Sequence, residues 1–253
     1  IGDAGFNWDF TKSEPMPTFK GKYEGAAADR VYVRLAGDDN YADAFVSRVS
    51  GTPEQVRTQL DKILRYEQTP ASGDWFTKGI GIASNEGAIR DYERSEWLQN
   101  GGGQGQKVPT NGSGLMGYGY THFTDVYDPN ASAYKVADAV NAGSSAIFYI
   151  GHGSATSWVT SRFSNNDVNN LQNGDRMPVI WSVACVNGKF VHNDACFAEA
   201  WVRKANGGAV AMEAASTNEA WVPPCDKQAA TVNAIMAGEV FTFGALKAKG
   251  IVR

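Results

Sequence analysis

Cysteine and histidine are scarce in this sequence, three of each among 253 residues. The cysteines, Cys185, Cys196 and Cys225, show no C-x-x-C spacing, and so few candidate ligands argue against a structural zinc site. An odd count also leaves at least one thiol free, even in an oxidising compartment. Basic runs are missing: no stretch of Lys and Arg exceeds two residues and the formal net charge is −4, which argues against nucleic-acid binding. Apolar runs reach only the length of a buried strand, well short of a membrane span. No signal-peptide pattern is read in these residues, the first of which is not Met. The chain opens on Ile1-Gly2-Asp3 and stops at Arg253, so the expectation is a mature or trimmed piece of a longer product.

What is present is enough apolar residue for a substantial core, 43% hydrophobic against 20% charged. Residues 31–50 predict two short strands, VYVRLA and AFVSRVS, around the polar turn GDDNYAD. TPEQVRTQLDKILRYE predicts a helix: Thr52 as N-cap, Pro53 at the first position, Gln55 three residues on, and Val56, Leu60, Ile63 and Leu64 as the apolar face. KGIGIAS at 78–84 predicts a strand, and the glycine-rich stretch 99–114 a surface excursion. From 115 onward strands near 120–127, 145–150, 178–184 and 208–214 alternate with helices near 132–142, 165–172, 195–205 and 226–237. Near-continuous apolar strands interleaved with helices predict an α/β fold with a mainly parallel sheet sandwiched by helices. Residues 1–253 then form one unit, with an amino-terminal part to about 114 and an α/β part from about 115.

Two apolar strands end abruptly on reactive residues. FYIGHGSATSW (148–158) carries His152 and IWSVACVNGKF (180–190) carries Cys185. Ligand-binding residues of a parallel sheet gather at the carboxyl ends of its strands, so neighbouring strands would bring these two side chains together. An imidazole supplies what a thiol needs to become a thiolate. Gly151 and Gly153 leave the His152 loop unobstructed, and the N–H groups of Gly153 and Cys185 are candidates for an oxyanion hole.

At these residues the sequence resembles the gingipain-type cysteine endopeptidases, which share the caspase-like fold. GHGSATSW, SVACVNGKF, CFAEAW and STNEAWVPP carry the resemblance, together with VYVRLAGDDNYADAFVSRVS, TPEQVRTQLDKILRYE, GIASNEG, GYGYTHFTDVYDP and TFG in the same order, covering roughly residues 30–245. The resemblance implies Cys185 as nucleophile, His152 as general base and Glu86 as the acid that orients the histidine, with Asp91 as the substitute. It implies Trp221 as the wall of the pocket for the residue before the scissile bond, suited to the stem and planar head of arginine or lysine. The cation-reading acid could be Asp91, Glu93 or Glu96 in EGAIRDYERSEWLQN, or Glu219, which stands where arginine-specific relatives have glutamine.

The implied activity is hydrolysis of protein or peptide substrates after a basic residue; a sortase-like transpeptidase and a non-catalytic surface binding module are the alternatives. No cofactor is expected for catalysis. AGDDNYAD resembles a calcium-binding loop of the family, which implies a structural Ca²⁺ on Asp39 and Asp43 with the carbonyls of Ala36 and Tyr41. Other segments of the same precursor are implied partners, and secretion or a cell-surface location is implied by the family alone. Cys196 and Cys225 could form a disulfide in an oxidising compartment, leaving Cys185 free. Asp194 is expected to cap the CFAEAW helix, Glu199 to solvate or cap it, and Trp75, Trp181 and Trp201 to lie in the core; His122 and His192 read as surface or strand residues.

Overall fold

The computed structural model describes residues 17–102, 114–191, 194–238, 240 and 242–251. The chain runs through α1 (Pro53–Gln68), β1 (Lys78–Ala83), α2 (Asp91–Asn100), β2 (His122–Tyr127), α3 (Ala133–Ala142) and β3 (Ala146–Ile150). A small antiparallel sheet follows, β4 (Gly153–Ser154), β5 (Ser157–Trp158) and β6 (Phe163–Ser164), then α4 (Asn165–Asn169) and β7 (Val179–Val183). The remaining elements are α5 (Phe197–Arg203), β8 (Ala211–Glu213), α6 (Val222–Ala237) and α7 (Phe243–Ile251). The main sheet is parallel throughout, ordered β2-β1-β3-β7-β8. β1 comes from the amino-terminal part yet is an interior strand, so both parts of the sequence build one sheet.

The sheet is a middle layer because its strands are apolar on both faces. Ile80 and Ile82 of β1, with Val126, Ile147, Tyr149 and Ile180, point to one side, where α3, α4 and α5 contribute Val140, Val168, Phe197 and Trp201. Phe123, Phe148 and Trp181 point to the other, against Leu98 of α2 and Val232 of α6. The two glycines of KGIGIA make room on this second side. A Cβ at Gly79 would lie 2.3 Å from the Phe123 ring, and one at Gly81 would lie 2.6 Å from both Gln99 Nε2 and Ser95 Oγ. Trp75, Trp181 and Trp201 are all buried.

Several expectations need correction. Residues 31–50 form no strand; a 3-10 turn covers Asp29–Val33, and the chain then closes on itself. Asp43 Oδ2 accepts from the N–H groups of Leu35 and Ala36, and Asp43 N–H donates to Val33 O, so this backbone is satisfied without a ladder. Helix α1 starts as expected, with the Thr52–Gln55 capping box, but its predicted face is turned. Leu60 and Leu64 are half exposed, whereas Gln59 and Lys62 are buried. Lys62 Nζ donates to the carbonyls of Trp201, Val202 and Lys204 at 3.0–3.2 Å, satisfying groups left over at the end of α5.

Helix α5 is capped at Cys196 rather than Asp194, and Glu199 is buried: its Oε2 accepts from Cys196 N–H and its Oε1 from Ser50 and Arg203. Cys196 and Cys225 are both free and buried. Cys196 caps α5 and Cys225 lies in α6, helices that pack on opposite faces of the sheet, and no disulfide joins them. His122 is exposed at the start of β2, and His192 lies outside the described residues, as does 103–113 of the glycine-rich stretch.

Candidate active site

One rung of the sheet organises the site. Ala83 of β1 pairs with Ile150 of β3, and Ile150 pairs with Val183 of β7. His152 and Cys185 each lie two residues beyond that rung, and Glu86 lies three beyond it on the other side of β3. Neighbouring strands are about 4.8 Å apart, so all three side chains emerge at one carboxyl edge. His152 Nε2 is 3.0 Å from Glu86 Oε2, both side chains being about half exposed. This leaves Nδ1 as the ring nitrogen free to exchange a proton.

The backbone around His152 and Cys185 is tied down from both directions. Tyr149 Oη donates to His152 O at 2.6 Å, and Val159 N–H, just past β5, donates to the same carbonyl. By the alternation of an antiparallel ladder, the next pair, Gly153–Trp158, is a non-hydrogen-bonded one, which turns Gly153 N–H away from β5. A Cβ on Gly153 would lie 2.6 Å from Cys185 O, so only glycine permits this approach. Asn187 joins the two strand exits. Its Nδ2 donates to the carbonyls of Ser154 and Ser157, and its Oδ1 accepts from Ser182 Oγ, which in turn accepts from Trp158 Nε1. The residue after Cys185, Val186, has φ +51, a strained conformation for a β-branched side chain.

Loop 214–221 closes the other side of Cys185. Glu219 N–H donates to Cys185 Sγ at 3.4 Å, and Val186 N–H donates to Thr217 O. The Trp221 ring meets the His152 ring edge-on with centroids 5.0 Å apart. Trp221 Nε1 donates to Asp91 Oδ1 at 2.9 Å, and Ser84 Oγ donates to Asp91 Oδ2 at 2.6 Å. Burial pushes the Asp91 carboxyl above its ordinary range, against the Ser84 and Trp221 hydrogen bonds and the nearby Arg94 charge.

Of the acids offered for cation recognition, Asp91 is the one bonded to Trp221, but it is fully buried with both oxygens occupied, so it holds the ring from behind and does not line an open pocket. Glu93 Oε2 accepts from Arg90 N–H and caps α2. Glu96 does not join the site: it is exposed, about 7.5 Å farther along the α2 axis, and its charged neighbours are Asp125 and Glu93. Glu219 turns inward instead of lining an open pocket. Its carboxylate accepts from Ala184 N–H, Oε2 has no partner among the described residues, and burial pushes it up to about 7 against the pull of Lys227.

Asp39 and Asp43 serve as turn caps: Asp39 Oδ1 accepts from Tyr41 N–H, and Asp43 Oδ2 takes two N–H groups. No group of three or more acidic, histidine or cysteine side chains suited to a metal occurs among the described residues. Asp39 Oδ2 and Asp43 Oδ1 accept no hydrogen bond among those residues, so each carboxylate keeps one oxygen compatible with a hard cation.

Sequence reasoning passed over Asn187, Tyr149 and helix α2. Asn187 carried a signal, a buried-strand sequence followed by an amide in ACVNG; α2 carried none in apolar periodicity, since its buried face reads Asp91, Arg94, Ser95, Leu98, Gln99.

The profile described as peptidase family C25 matches residues 1–250. Gingipain R2 of Porphyromonas gingivalis is 36% identical over 206 residues, covering 79% of this chain and 27% of the relative. A Lys-gingipain of the same organism is 29% identical over 205 residues, 80% of this chain and 11% of its own length. The crystal structure of the Arg-specific cysteine proteinase gingipain R superposes with a TM-score of 0.84 at 31% identity, over 95% of this chain and 56% of that one. A complex of gingipain pro- and mature domains matches with a TM-score of 0.80, 32% identity, and 90% and 55% coverage. This chain thus spans about a quarter of the length of gingipain R2 and about half of the solved gingipain R chain. The chain belongs to peptidase family C25.

Proposed function

We propose that this chain carries the active site of a cysteine endopeptidase that hydrolyses peptide bonds after a basic residue. The observation that carries the reading is the single rung from which Glu86, His152 and Cys185 all emerge, with Glu86 on the imidazole. Cys185 Sγ gives its proton to His152 and attacks the peptide carbonyl carbon, forming a C–S bond. The Gly153 and Cys185 N–H groups hold the oxyanion. His152 then delivers the proton to the leaving amine as the C–N bond breaks, and Glu86 steadies the imidazolium through Nε2. Water gives a proton to His152 and attacks the thioester carbon; the C–S bond breaks, the acid leaves and His152 returns the proton to Cys185 Sγ.

The basic preference is supported by Trp221 with Asp91 behind it and by the relatives, which are Arg-specific and Lys-named proteinases. The aromatic face suits a guanidinium or ammonium group on an aliphatic stem, and the buried Asp91 fixes the ring that offers it. A structural calcium ion on Asp39 and Asp43, with the carbonyls of Ala36 and Tyr41, belongs to the same proposal and has no part in the chemistry. So do other segments of a precursor as partners, in keeping with the pro- and mature-domain complex, and a location outside the cell or on its surface. No described helix is long and apolar enough to cross a membrane.

The test is hydrolysis of a peptide library randomised before the scissile bond, beside Cys185→Ala. Cleavage after Arg or Lys that disappears in the variant supports the reading. Acyl transfer to an added amine in place of hydrolysis points to a transpeptidase, and no turnover by the folded protein points to a binding module.

A further inference from the structure

A short hairpin far from the catalytic residues in sequence reaches the loop that covers Cys185. Residues 20–27 fold back on themselves: Lys20 bridges Ala27, Gly21 N–H donates to Ala26 O, and Ala26 N–H donates to Tyr23 O. The two central residues, Glu24 and Gly25, both have positive φ, +49 and +62. A turn of this kind favours Asn-Gly, and a glutamate in its first place is conformationally costly. The strain has a visible counterpart. Thr217 Oγ1 donates to Glu24 Oε2 at 2.6 Å, and Asn218 Nδ2 donates to the same oxygen at 3.1 Å. One strand of the hairpin adds a further tie, Ser216 Oγ to Ala27 O at 2.9 Å.

The next residues of that loop are the ones that touch the catalytic pair. Glu219 N–H donates to Cys185 Sγ, and Trp221 packs on His152. On its inner edge the loop is held by Val186 and Gly188, whose N–H groups donate to Thr217 O and Ala215 O. Only the hairpin holds its outer edge among the hydrogen bonds described, and Glu24 supplies the charge-assisted ones.

We propose that Glu24 is a positioning residue for Cys185: by latching Thr217 and Asn218 it fixes the loop so that Glu219 N–H stays on the sulfur and stabilises the thiolate. A donor aimed at the charged form of a thiol favours that form, so loss of the latch makes the thiol harder to ionise. The main chain of Glu219 meets Cys185 Sγ through both its N–H and, at 3.9 Å, its carbonyl, with Lys227 of α6 and Glu213 of β8 behind the Glu219 side chain; these and His152, at the neighbouring strand exit, must stay constant. The proposal rests on Cys185 being the reactive thiol of the site described above.

The experiment is the rate of Cys185 alkylation by iodoacetamide as a function of pH, in the wild type, Glu24→Gly and Glu24→Gln, with a thermal melt of each. Glycine relieves the positive φ, so Glu24→Gly is expected to melt no lower than the wild type. Yet it should alkylate about tenfold more slowly at neutral pH, with its profile displaced upward by about one pH unit, the size of one lost hydrogen bond to a charged sulfur. Glutamine retains an acceptor for Thr217 and is expected to stay within about threefold of the wild type. A Glu24→Gly protein that alkylates with the wild-type profile overturns the latch. So does faster alkylation in both variants, which would make Glu24 a source of negative charge only. Peptide hydrolysis measured alongside separates the two readings: a slowed Glu24→Gly thiol in a protein that cleaves nothing refutes the peptidase reading alone, while normal cleavage with an unmoved profile refutes the latch alone.

Discussion

Replacing Gly153 by alanine tests the geometry between the two strand exits. The new Cβ would lie 2.6 Å from Cys185 O, 2.8 Å from Ala184 Cβ and 2.9 Å from Asn187 Nδ2. Ordinary van der Waals contact starts near 3.4 Å, so the β4 backbone and the Cys185 turn must part by about 0.8 Å. None of the three neighbours is a flexible side-chain end. Asn187 is fully buried and holds Ser154, Ser157 and Ser182, so it cannot swing away without losing those bonds. Overpacking of this kind costs about 1–3 kcal/mol of stability. The larger effect falls on the reaction, because a displacement of about 1 Å between reacting groups costs on the order of a hundredfold. Gly153→Ala should therefore lower kcat/KM about a hundredfold while remaining folded by circular dichroism. A crystal structure should show the Cys185 turn shifted outward. Wild-type kcat/KM in this variant would refute both the close approach and the oxyanion role of the Gly153 amide.

Further outcomes follow from the same contacts. Glu86→Gln keeps the shape beside His152 but removes the charge; because the pair is half exposed, kcat should fall about tenfold rather than by the much larger factor seen for buried partners, with KM unchanged. Glu219 has its folded pKa raised to about 7, so the folded state holds its proton more tightly than the unfolded chain and stability falls as pH rises from about 4.5 through 7. Glu219→Gln should thus melt like the wild type at pH 4.5 and higher than it at pH 8, by an amount on the order of 1–3 kcal/mol; equal melting at pH 8 would contradict the buried carboxyl. Lys62→Met strands three carbonyls at the end of α5 and should cost about 2–3 kcal/mol in denaturant melts, with activity of the folded fraction unaffected. If calcium sits on Asp39 and Asp43, chelation lowers Tm and leaves kcat unchanged below the melt, and Asp39→Asn abolishes the calcium effect.

Much of the fold was legible because the strands of this sheet are buried on both faces and so appear as apolar runs, from KGIGIA to VIWSV. His152 and Cys185 were legible for the same reason, each being the first reactive residue after such a run. What escaped was polar burial. Helix α2 hides Arg94 together with Asp91, Ser95 and Gln99, and the partners of these last three, Ser84, Tyr127 and Asp125, come from just past β1 and from β2. Lys62 displaced Leu60 and Leu64 from the buried side of α1 because the end of α5 needed a donor. Asp91, Glu93 and Glu96 could not be told apart without knowing where the helix begins; with α2 starting at Asp91, that residue is the one bonded to Trp221. The strands expected at 31–50 failed because alternating apolar residues do not make a ladder where no neighbouring strand among the described residues offers one.

The central claim is that Cys185 and His152 act together on a peptide bond that follows a basic residue. The most direct measurement is labelling of the protein with a peptidyl chloromethyl ketone ending in arginine, located by mass spectrometry and compared with His152→Ala and with the same reagent ending in leucine. The account predicts a single adduct on Cys185, formed with the arginine reagent, much slower with the leucine one, and lost in His152→Ala. Labelling of Cys185 at equal rates with both reagents, or undiminished labelling without the imidazole, would contradict it.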